Sequence, residues 1–285
     1  MKQKRILITF DIEEWFQVHN LTGAISREDW HSNQSSVEKN TSNILGILYK
    51  HNVKATFFVL GWVAEKFPEL IKKISDDGHE IASHGYDHNL VYSQNYDSVK
   101  NDIEKSKRIL EDAIGKRVLG YRAPSFSVDN RLIEILNELS FQYDSSYNAF
   151  RLNQRYGSLV LPKGENGKII KFENGIFEIP VSSLKVLNYP FPIGGGAYFR
   201  FLPFSIFSKL VSLKLKQDGM YNFYLHPWEF EPEQPRIKGI RFDYKIRHYY
   251  GLNRTAVKFE KLIKYLKNKD CIFNTINEFV DLQAK

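Results

Sequence analysis

The sequence predicts an α/β protein built as a distorted (β/α) barrel of seven or eight strands. Short β-branched or aromatic runs alternate with longer stretches of helical periodicity, and 285 residues hold enough of these units for one closed or nearly closed sheet. Such alternation gives a mainly parallel sheet, in which the carboxyl ends of the strands share one face. We predict a single domain over residues 1–285.

Eight runs have the composition of buried strands: Arg5–Phe10, Ala55–Leu60, Glu80–Ser83, Val118–Tyr121, Phe141–Asp144, Ile176–Val181, Met220–Leu225 and Cys271–Thr275. Helical periodicity lies between several of them, over residues 37–48, 99–113 and 257–266. Glycines 78, 115 and 219 follow helical stretches and are predicted to end them. Two segments, 151–173 and 185–203, break the alternation and are predicted to be long loops.

The composition excludes several classes of protein. Apolar runs such as residues 55–60 are far shorter than the roughly 18 residues of a membrane helix, so no transmembrane segment is predicted. The single cysteine, Cys271, excludes an internal disulfide and a cysteine zinc cluster, so a metal here would use His, Asp or Glu. The first residues read as a strand and not as a signal peptide, and we therefore expect a cytoplasmic location.

The formal charge of +7 comes from 40 basic and 33 acidic side chains. The basic residues are spread along the chain at helix-surface spacing, which indicates solvated helix faces and predicts no nucleic-acid partner. The charge is compatible with an anionic substrate, and the sequence is compatible with a homo-oligomer.

Ionisable side chains follow five of the predicted strands. Asp11 and Glu13 follow the first, His84 and His88 the third, Arg122 the fourth, Asp144 the fifth, and His226 the strand before the last helix. In β/α barrels catalysis takes place at the carboxyl ends of the strands. We therefore expect all these groups on one rim.

The string H-G-Y-D-H places His84 and His88 four residues apart. On a helical turn both imidazoles would face one side, and with a nearby carboxylate they would make a two-histidine, one-carboxylate site for zinc, iron or cobalt. The alternative is a pair of exposed loop histidines.

Two further side chains have both a catalytic and a structural interpretation. His226 is either a general acid, because an imidazole titrates near neutrality, or a buried histidine that only makes a hydrogen bond in the core. Arg122 would hold a carboxylate ionised through a bidentate contact, or pair with a surface acid.

Together these strings resemble the polysaccharide deacetylase family, the NodB-homology group of carbohydrate esterases. Its five motifs are matched in order by T-F-D-I-E at residues 9–13, S-H-G-Y-D-H at 83–88, R-A-P at 122–124, Y-D-S-S at 143–146 and L-H-P at 225–227. The resemblance implies a metal-dependent removal of an acyl group, usually N-acetyl, from a glycan. It also implies that Asp11 is the general base, His84 and His88 bind the metal, Arg122 tunes the base, His226 protonates the departing amine, and Asp144 orients or charge-stabilises His226.

The chain departs from the family's first motif, in which two aspartates are adjacent. Ile12 stands at the second position, with acids at Glu13 and Glu14. Successive residues of a strand point to opposite faces, so Asp11 and Glu13 point the same way, and we predict Glu13 as the third metal ligand. A bend at the strand end would exchange Glu13 for Glu14.

Two residues are predicted to contact the substrate. A backbone N–H near Ser125 would complete an oxyanion hole, and Trp228, just past His226, would stack on a sugar ring, with packing in the barrel as the alternative. The Gly194–Gly196 run would let a loop fold closely over the substrate or form a tight turn.

The leading hypothesis is a divalent-metal hydrolase, with Zn²⁺ first and Fe²⁺ or Co²⁺ as alternatives. It would deacetylate an amino sugar of a polysaccharide or of its nucleotide-linked or lipid-linked precursor on the cytoplasmic side. One alternative is a cyclic-amide hydrolase that resembles allantoinases. Another is a non-catalytic glycan-binding protein.

Overall fold

The computed structural model describes residues 3–150, 156–162, 169–187 and 189–284. Its strands are β1 (Arg5–Ile12), β2 (Thr56–Val59), β3 (Glu80–Ser83), β4 (Gly120–Tyr121), β5 (Tyr143–Asp144), β6 (Ile170–Lys171), β7 (Phe177–Glu178), β8 (Ser183–Val186), β9 (Tyr189–Pro192), β10 (Met220–Leu225) and β11 (Ile272–Asn274). Its α-helices are α1 (Val37–Lys50), α2 (Gly61–Lys66), α3 (Pro68–Asp76), α4 (Tyr96–Ile114), α5 (Asn130–Glu138), α6 (Gly196–Phe201), α7 (Phe204–Asp218), α8 (Phe242–Tyr249), α9 (Thr255–Lys267) and α10 (Ile276–Ala284).

The main sheet has the strand order β10-β1-β2-β3-β4-β5-β7-β6, and β11 pairs with the first half of β1. All of these pairings are parallel except that of β6 with β7. The predicted α/β fold with a curled, mainly parallel sheet is confirmed. Each of the eight predicted strands has a counterpart in this sheet.

The segment that follows β7 is joined to β10 by side-chain and backbone hydrogen bonds outside the strand ladder. The buried Asn222 amide of β10 donates to the carbonyl oxygens of Ile179 and Pro180, at 3.2 Å in each case. The backbone N–H of Asn222 donates to Oγ of Ser182, and Ser182 N–H donates back to the Asn222 carbonyl. Hydrogen bonds of this kind satisfy a strand edge without extending the ladder.

Alternation along β1 separates the packing outside the barrel from its interior. Ile6, Ile8, Phe10 and Ile12 belong to the large apolar cluster that the helices cover, whereas Leu7 belongs to the smaller inner cluster. Fully burying one such side chain contributes about 1.5–3 kcal/mol. Because side chains alternate, the inward series that starts at Leu7 continues with Thr9, Asp11 and Glu13.

The helix ends follow the predicted glycines. Gly115 and Gly219 are the left-handed C-caps of α4 and α7, and Gly78 has φ +80° two residues beyond α3. Within the described residues, no helix combines the length and the apolarity of a membrane span.

The two predicted loops differ from what was expected. Segment 185–203 contains most of the β8–β9 hairpin and the whole of α6, so its prediction as an irregular loop was wrong. Segment 151–173 contains β6, and residues 151–155 and 163–168 of it lie outside the described residues.

Candidate active site

The register of the sheet brings the predicted residues to one rim. Ser83, Tyr121 and Asp144 lie level with one another across β3, β4 and β5, so the next residues, His84, Arg122 and Ser145, come at the same height. Phe10 is level with Leu225, which places Asp11 beside His226. A cavity of about 80 Å³ opens here, and Asp11, Glu13, His84, His88, Ser125, His226 and Trp228 are among its lining residues.

Asp11 is held by a buried arginine. Nη1 of Arg122 lies 2.6 Å from Oδ1 of Asp11, and the same Nη1 donates to Oγ1 of Thr9. The other guanidinium nitrogens donate to Ser145, Nε to its carbonyl oxygen and Nη2 to its Oγ. The predicted bidentate contact is therefore wrong, because two of the three nitrogens are used to fix the guanidinium against β5.

Glu13, His84 and His88 present ligand atoms that all lie within 4.8 Å of one another. Nδ1 of His84 is 2.7 Å from the carbonyl oxygen of Arg122, an arrangement in which Nδ1 donates and Nε2 is left to bind a cation. Burial lowers the pKa of His84 to about 4, so this imidazole is neutral near pH 7, the form that binds metal.

Glu13 also has the properties of a ligand. Its Oε2 is buried, lies 2.8 Å from Nε2 of His88, and accepts no hydrogen bond within the described part of the chain. Burial raises the pKa of Glu13, but the neighbouring His88 and His226 outweigh it and lower the value to about 2. An ionised carboxylate and two imidazoles are a donor set that fits Zn²⁺, with open positions for water and substrate.

Glu14 points away from the cavity, as the strand alternation predicts. Its carboxylate accepts the N–H groups of Ser36 and Val37 and the hydroxyl of Ser35 at the start of α1. A carboxylate at this position satisfies free N–H groups and interacts favourably with the helix dipole. The carboxylate that lies beside His84 and His88 is therefore that of Glu13 and not that of Glu14.

The loop that carries the two histidines is not a helical turn, contrary to the prediction. Gly85 has φ +73° and His88 has φ +56°, and the two rings nevertheless come within 5.5 Å, centroid to centroid. Asp102 of α4 accepts the N–H groups of Tyr86 and Asp87, at 2.8 and 3.1 Å, and so holds the loop in this shape. A spacing of four residues fits either conformation.

His226 is oriented by Glu229 and not by Asp144. Nδ1 of His226 lies 2.9 Å from Oε1 of Glu229, whose Oε2 accepts from Nε of Arg200 at 2.7 Å. Burial lowers the pKa of His226, but Glu13 and Glu229 outweigh it and raise the value above its ordinary range. Nε2 of His226 is left facing Asp11 and Glu13, at 3.8 and 3.5 Å.

The prediction for Asp144 was therefore wrong. Its Oδ1 accepts from Oγ of Ser146, and its carboxyl group is hydrogen-bonded to that of Glu178 through a shared proton. Burial raises the pKa of Asp144, which lies beside the buried Glu178. Asp144 supports the rim and is not among the cavity's lining residues.

Trp228 does not offer an open face to a sugar. The rings of His226 and His248 stack on it, at 5.0 and 4.5 Å, and the residue is only 4% exposed. Its Nε1 donates to Oε1 of Glu13 at 3.1 Å. Trp228 therefore positions a ligand and an acid, which corrects its prediction as a stacking platform.

The Gly194–Gly196 run packs closely against neighbouring residues of the protein and does not fold over an open cavity. A Cβ on Gly194 would lie 2.8 Å from the Ser182 backbone, and one on Gly196 would lie 2.1 Å from Oε2 of Glu229. Ser125 lines the cavity in a left-handed conformation, with φ +53°. Its role as an oxyanion donor stays a prediction.

Sequence reasoning missed Glu229, Arg200 and Arg247, all of which line the cavity. The string H-P-W-E held a usable indication of Glu229, since an acid three residues after His226 with proline between them has the spacing of a capping box. Arg200 and Arg247 come from segments with no local pattern that marks them.

Family models match the chain in two parts. A model described as polysaccharide deacetylase matches residues 1–143, and a model described as a domain of unknown function matches residues 145–281. The chain is 46% identical over 86 residues to a peptidoglycan-N-acetylglucosamine deacetylase of Bacillus cereus, a match that covers 30% of this chain and 29% of that protein. It is 34% identical over 103 residues to a peptidoglycan deacetylase of Helicobacter pylori, covering 36% and 35%. These matches span about a third of the length of each relative.

Solved structures share the fold over nearly the whole chain. A candidate polysaccharide deacetylase from Mycobacterium smegmatis has a TM-score of 0.65 at 20% identity and covers 98% of this chain and 90% of its own. An allantoinase has 0.63 at 15%, covering 97% and 89%, and a CE4 family pseudoenzyme from Bacillus anthracis has 0.55 at 16%, covering 98% and 66%. At these identities the likeness establishes the fold alone. The family model, however, matches 143 of the 285 residues, including the strands that carry Asp11, His84 and Arg122, and the chain therefore belongs to the polysaccharide deacetylase family.

Proposed function

We propose that this protein is a metal-dependent hydrolase that removes N-acetyl groups from amino sugars of a glycan or of its precursor. The observation that carries the proposal is the meeting of three ligand side chains with an anchored carboxylate and an anchored imidazole in one cavity. Amide hydrolysis needs a proton acceptor for water and a proton donor for nitrogen. The names of the sequence relatives support the same reaction.

Glu13, His84 and His88 would hold the divalent ion, with Zn²⁺ as the first choice and Fe²⁺ or Co²⁺ as alternatives. When bound, such an ion polarises the acyl carbonyl and makes water more acidic. The chain fixes the orientation of these ligands through the Arg122 carbonyl on His84 and the Trp228 indole on Glu13.

Asp11 would accept the proton of the attacking water at Oδ2. Its Oδ1 is occupied by Nη1 of Arg122, and this contact prevents rotation of the carboxylate and leaves Oδ2 for the water. Arg122 cannot act as a proton donor in exchange, because a guanidinium remains protonated at any physiological pH.

His226 would donate a proton from Nε2 to the departing nitrogen. Glu229 holds Nδ1 and stabilises the charged imidazolium, so the proton available for transfer is the one on Nε2. Glu229 is in turn held by an ion pair with Arg200, on the side away from His226. The left-handed turn at Ser125 would present a backbone N–H to the developing oxyanion.

The test uses the purified full chain supplied with Zn²⁺. Three substrates are compared: an N-acetylglucosamine oligosaccharide, peptidoglycan fragments and allantoin, with acetate release and ring opening measured separately. Acetate release that Asp11→Asn and His226→Ala abolish supports the proposal. Ring opening of allantoin without acetate release would replace it with cyclic-amide hydrolysis, and no turnover by metal-loaded protein would replace it with a binding role.

A finer part of the proposal concerns the substrate's carrier. We propose a nucleotide-linked or lipid-linked sugar on the cytoplasmic side, supported by the formal charge of +7. Cell fractionation and a comparison of turnover on a nucleotide-linked and a polymeric N-acetyl sugar test this. Turnover confined to finished polymer, in protein recovered outside the cytoplasm, would contradict it.

A further inference from the structure

Two of the three acidic side chains that line the cavity pair with an arginine, and the third belongs to the proposed ligand set. Asp11 pairs with Arg122 at 2.6 Å and Glu229 pairs with Arg200 at 2.7 Å, whereas Glu13 lies 2.8 Å from Nε2 of its fellow ligand His88. The cavity lining contains one more cation, the guanidinium of Arg247 on α8. Among the ion pairs of the described residues, none includes Arg247.

The described residues that surround Arg247 are phenolic and not acidic. Nη2 of Arg247 lies 3.4 Å from the hydroxyl of Tyr156, and the aromatic side chains of Tyr156, Phe126 and Tyr224 pack together on this wall. A phenol hydroxyl does not neutralise a guanidinium at neutral pH. A partly desolvated cation without a counter-charge is costly, and an anionic ligand would relieve that cost.

The backbone of Arg247 is fixed from the other side. Its carbonyl oxygen accepts from Nη2 of Arg200 at 2.8 Å, and Arg200 also donates to the carbonyl oxygens of His248 and Tyr250. Arg200 thus ties the end of α8 to Glu229 and, through it, to His226. A guanidinium carried on a backbone fixed in this way can serve as a fork for a carboxylate or a phosphate.

We propose that Arg247 forms an anion subsite of the cavity and that the N-acetyl sugar turned over here carries a carboxylate or a phosphate group. This inference rests on the proposed function and names the class of its substrate. It makes Arg247 a specificity-determining residue, with no part in proton transfer. The two anions share the same recognition chemistry, and the experiment separates them.

The experiment first measures binding to metal-free protein by calorimetry, so that it does not depend on turnover. One probe pair is the disaccharide N-acetylglucosaminyl-N-acetylmuramic acid and its methyl ester, which differ in the carboxylate. The other pair is N-acetylglucosamine 1-phosphate and N-acetylglucosamine. The wild type is expected to bind one anionic member about 10-fold to 100-fold more tightly than its neutral partner, as one charged hydrogen-bonded contact would give.

Variants assign the preference to this side chain. Arg247→Gln should remove the preference and leave affinity for the neutral sugars unchanged, and Arg247→Lys should retain part of it. The matched control is Arg241→Gln, because Arg241 is an exposed arginine at the start of the same helix that pairs with Asp243. Thermal unfolding of each variant checks that the fold is retained.

The outcomes distinguish this inference from the proposed function. Equal affinity of the wild type for both members of both pairs, or a preference that survives Arg247→Gln, overturns the anion subsite. The same pairs are then followed by acetate release with Zn²⁺, where the loss should appear in KM and not in kcat. A preference in binding without any acetate release would leave the subsite standing and reject the deacetylase.

Discussion

Arg122 reaches only one oxygen of Asp11, with Nη1 2.6 Å from Oδ1, and both side chains are buried. Oδ2 is thereby left toward His226, whose Nε2 lies 3.8 Å away. The proposed base, Asp11, is therefore held at Oδ1 and has Oδ2 free to react. The proposed acid, His226, is likewise held at Nδ1 and has Nε2 toward the cavity.

Asp11→Asn keeps the shape of the side chain and its contact with Arg122 but removes the proton acceptor. We expect kcat to fall about 10²-fold to 10⁴-fold, with metal content per chain unchanged. Acetate release and metal analysis are the measurements, and Asp76→Asn, at an exposed helix pair with Lys72, is the control. Turnover at the wild-type rate would remove Asp11 as the base.

Glu13→Gln and Glu14→Gln separate metal binding from helix capping. The first should lose bound metal after dialysis. The second should keep the metal and lose about 1 kcal/mol of unfolding free energy, because the amide replaces one acceptor oxygen by an NH2 donor and removes the negative charge at the start of α1. Metal analysis and urea unfolding distinguish the two, and the reverse pattern would make Glu14 the ligand.

Glu229→Gln should move the high-pH limb of the kcat/KM profile to lower pH. Burial lowers the pKa of His226 while Glu13 and Glu229 raise it, so removing the charge of Glu229 lowers that pKa. A general acid works only when protonated, and activity is lost as pH rises through its pKa. The control is Glu233→Gln, at an exposed position, which should leave the profile unchanged. If the high-pH limb of Glu229→Gln does not move, His226 is not the general acid.

Gly196→Ala should reduce turnover by displacing Glu229. The added Cβ would stand 2.1 Å from Oε2 and 2.2 Å from Oε1 of that carboxylate, which must then shift away from His226. Gly46→Ala is the matched control, since a Cβ there meets nothing within 4 Å and α1 should gain up to about 1 kcal/mol. Kinetics and thermal unfolding of both variants check this.

His79 should make the fold acid-sensitive. Burial lowers its pKa from 6.5 to about 4, and its Nδ1 accepts the Ala55 N–H, which requires the neutral imidazole. Because the folded-state pKa is depressed, this stability is fully present above pH 6.5 and is lost as pH falls toward 4. The loss is at most about 3 kcal/mol.

The measurement for His79 is the unfolding free energy between pH 7 and pH 4. His79→Gln should flatten the decline, whereas His31→Gln, at an exposed position, should not. An identical slope in His79→Gln and the wild type would assign the acid sensitivity to other groups.

The strands, and the position of the ionisable residues at their carboxyl ends, were predictable because both depend on local sequence patterns. The apolar runs that became β1, β2, β3 and β10 are short and bounded, and a parallel sheet puts whatever follows them on one side. The two-residue periodicity was sufficient to separate Glu13 from Glu14. These inferences needed no knowledge of which strands are neighbours.

The partners of the rim residues were not predictable, because they come from distant segments. Asp144 follows a strand as predicted, yet the carboxylate that reaches His226 belongs to the next turn of the chain at Glu229. Arg200 and Arg247 enter through α6 and α8, and the β8–β9 hairpin lies in a stretch whose prolines and glycines read as a loop. Trp228 was misjudged because sequence shows aromatic identity but not that His226 and His248 stack on the ring.

The pairing of β1 has a consequence for the integrity of the chain. β10 runs along one edge of β1 from Arg5 to Phe10, and β11 pairs with its first three residues, while β2 pairs with the last four. An amino-terminal piece that ends near residue 144 would therefore have a bare strand edge and would lack His226, the proposed proton donor. Such a piece would be prone to self-association, and catalysis could return only through fragment complementation, when the carboxyl-terminal piece docks back onto β1.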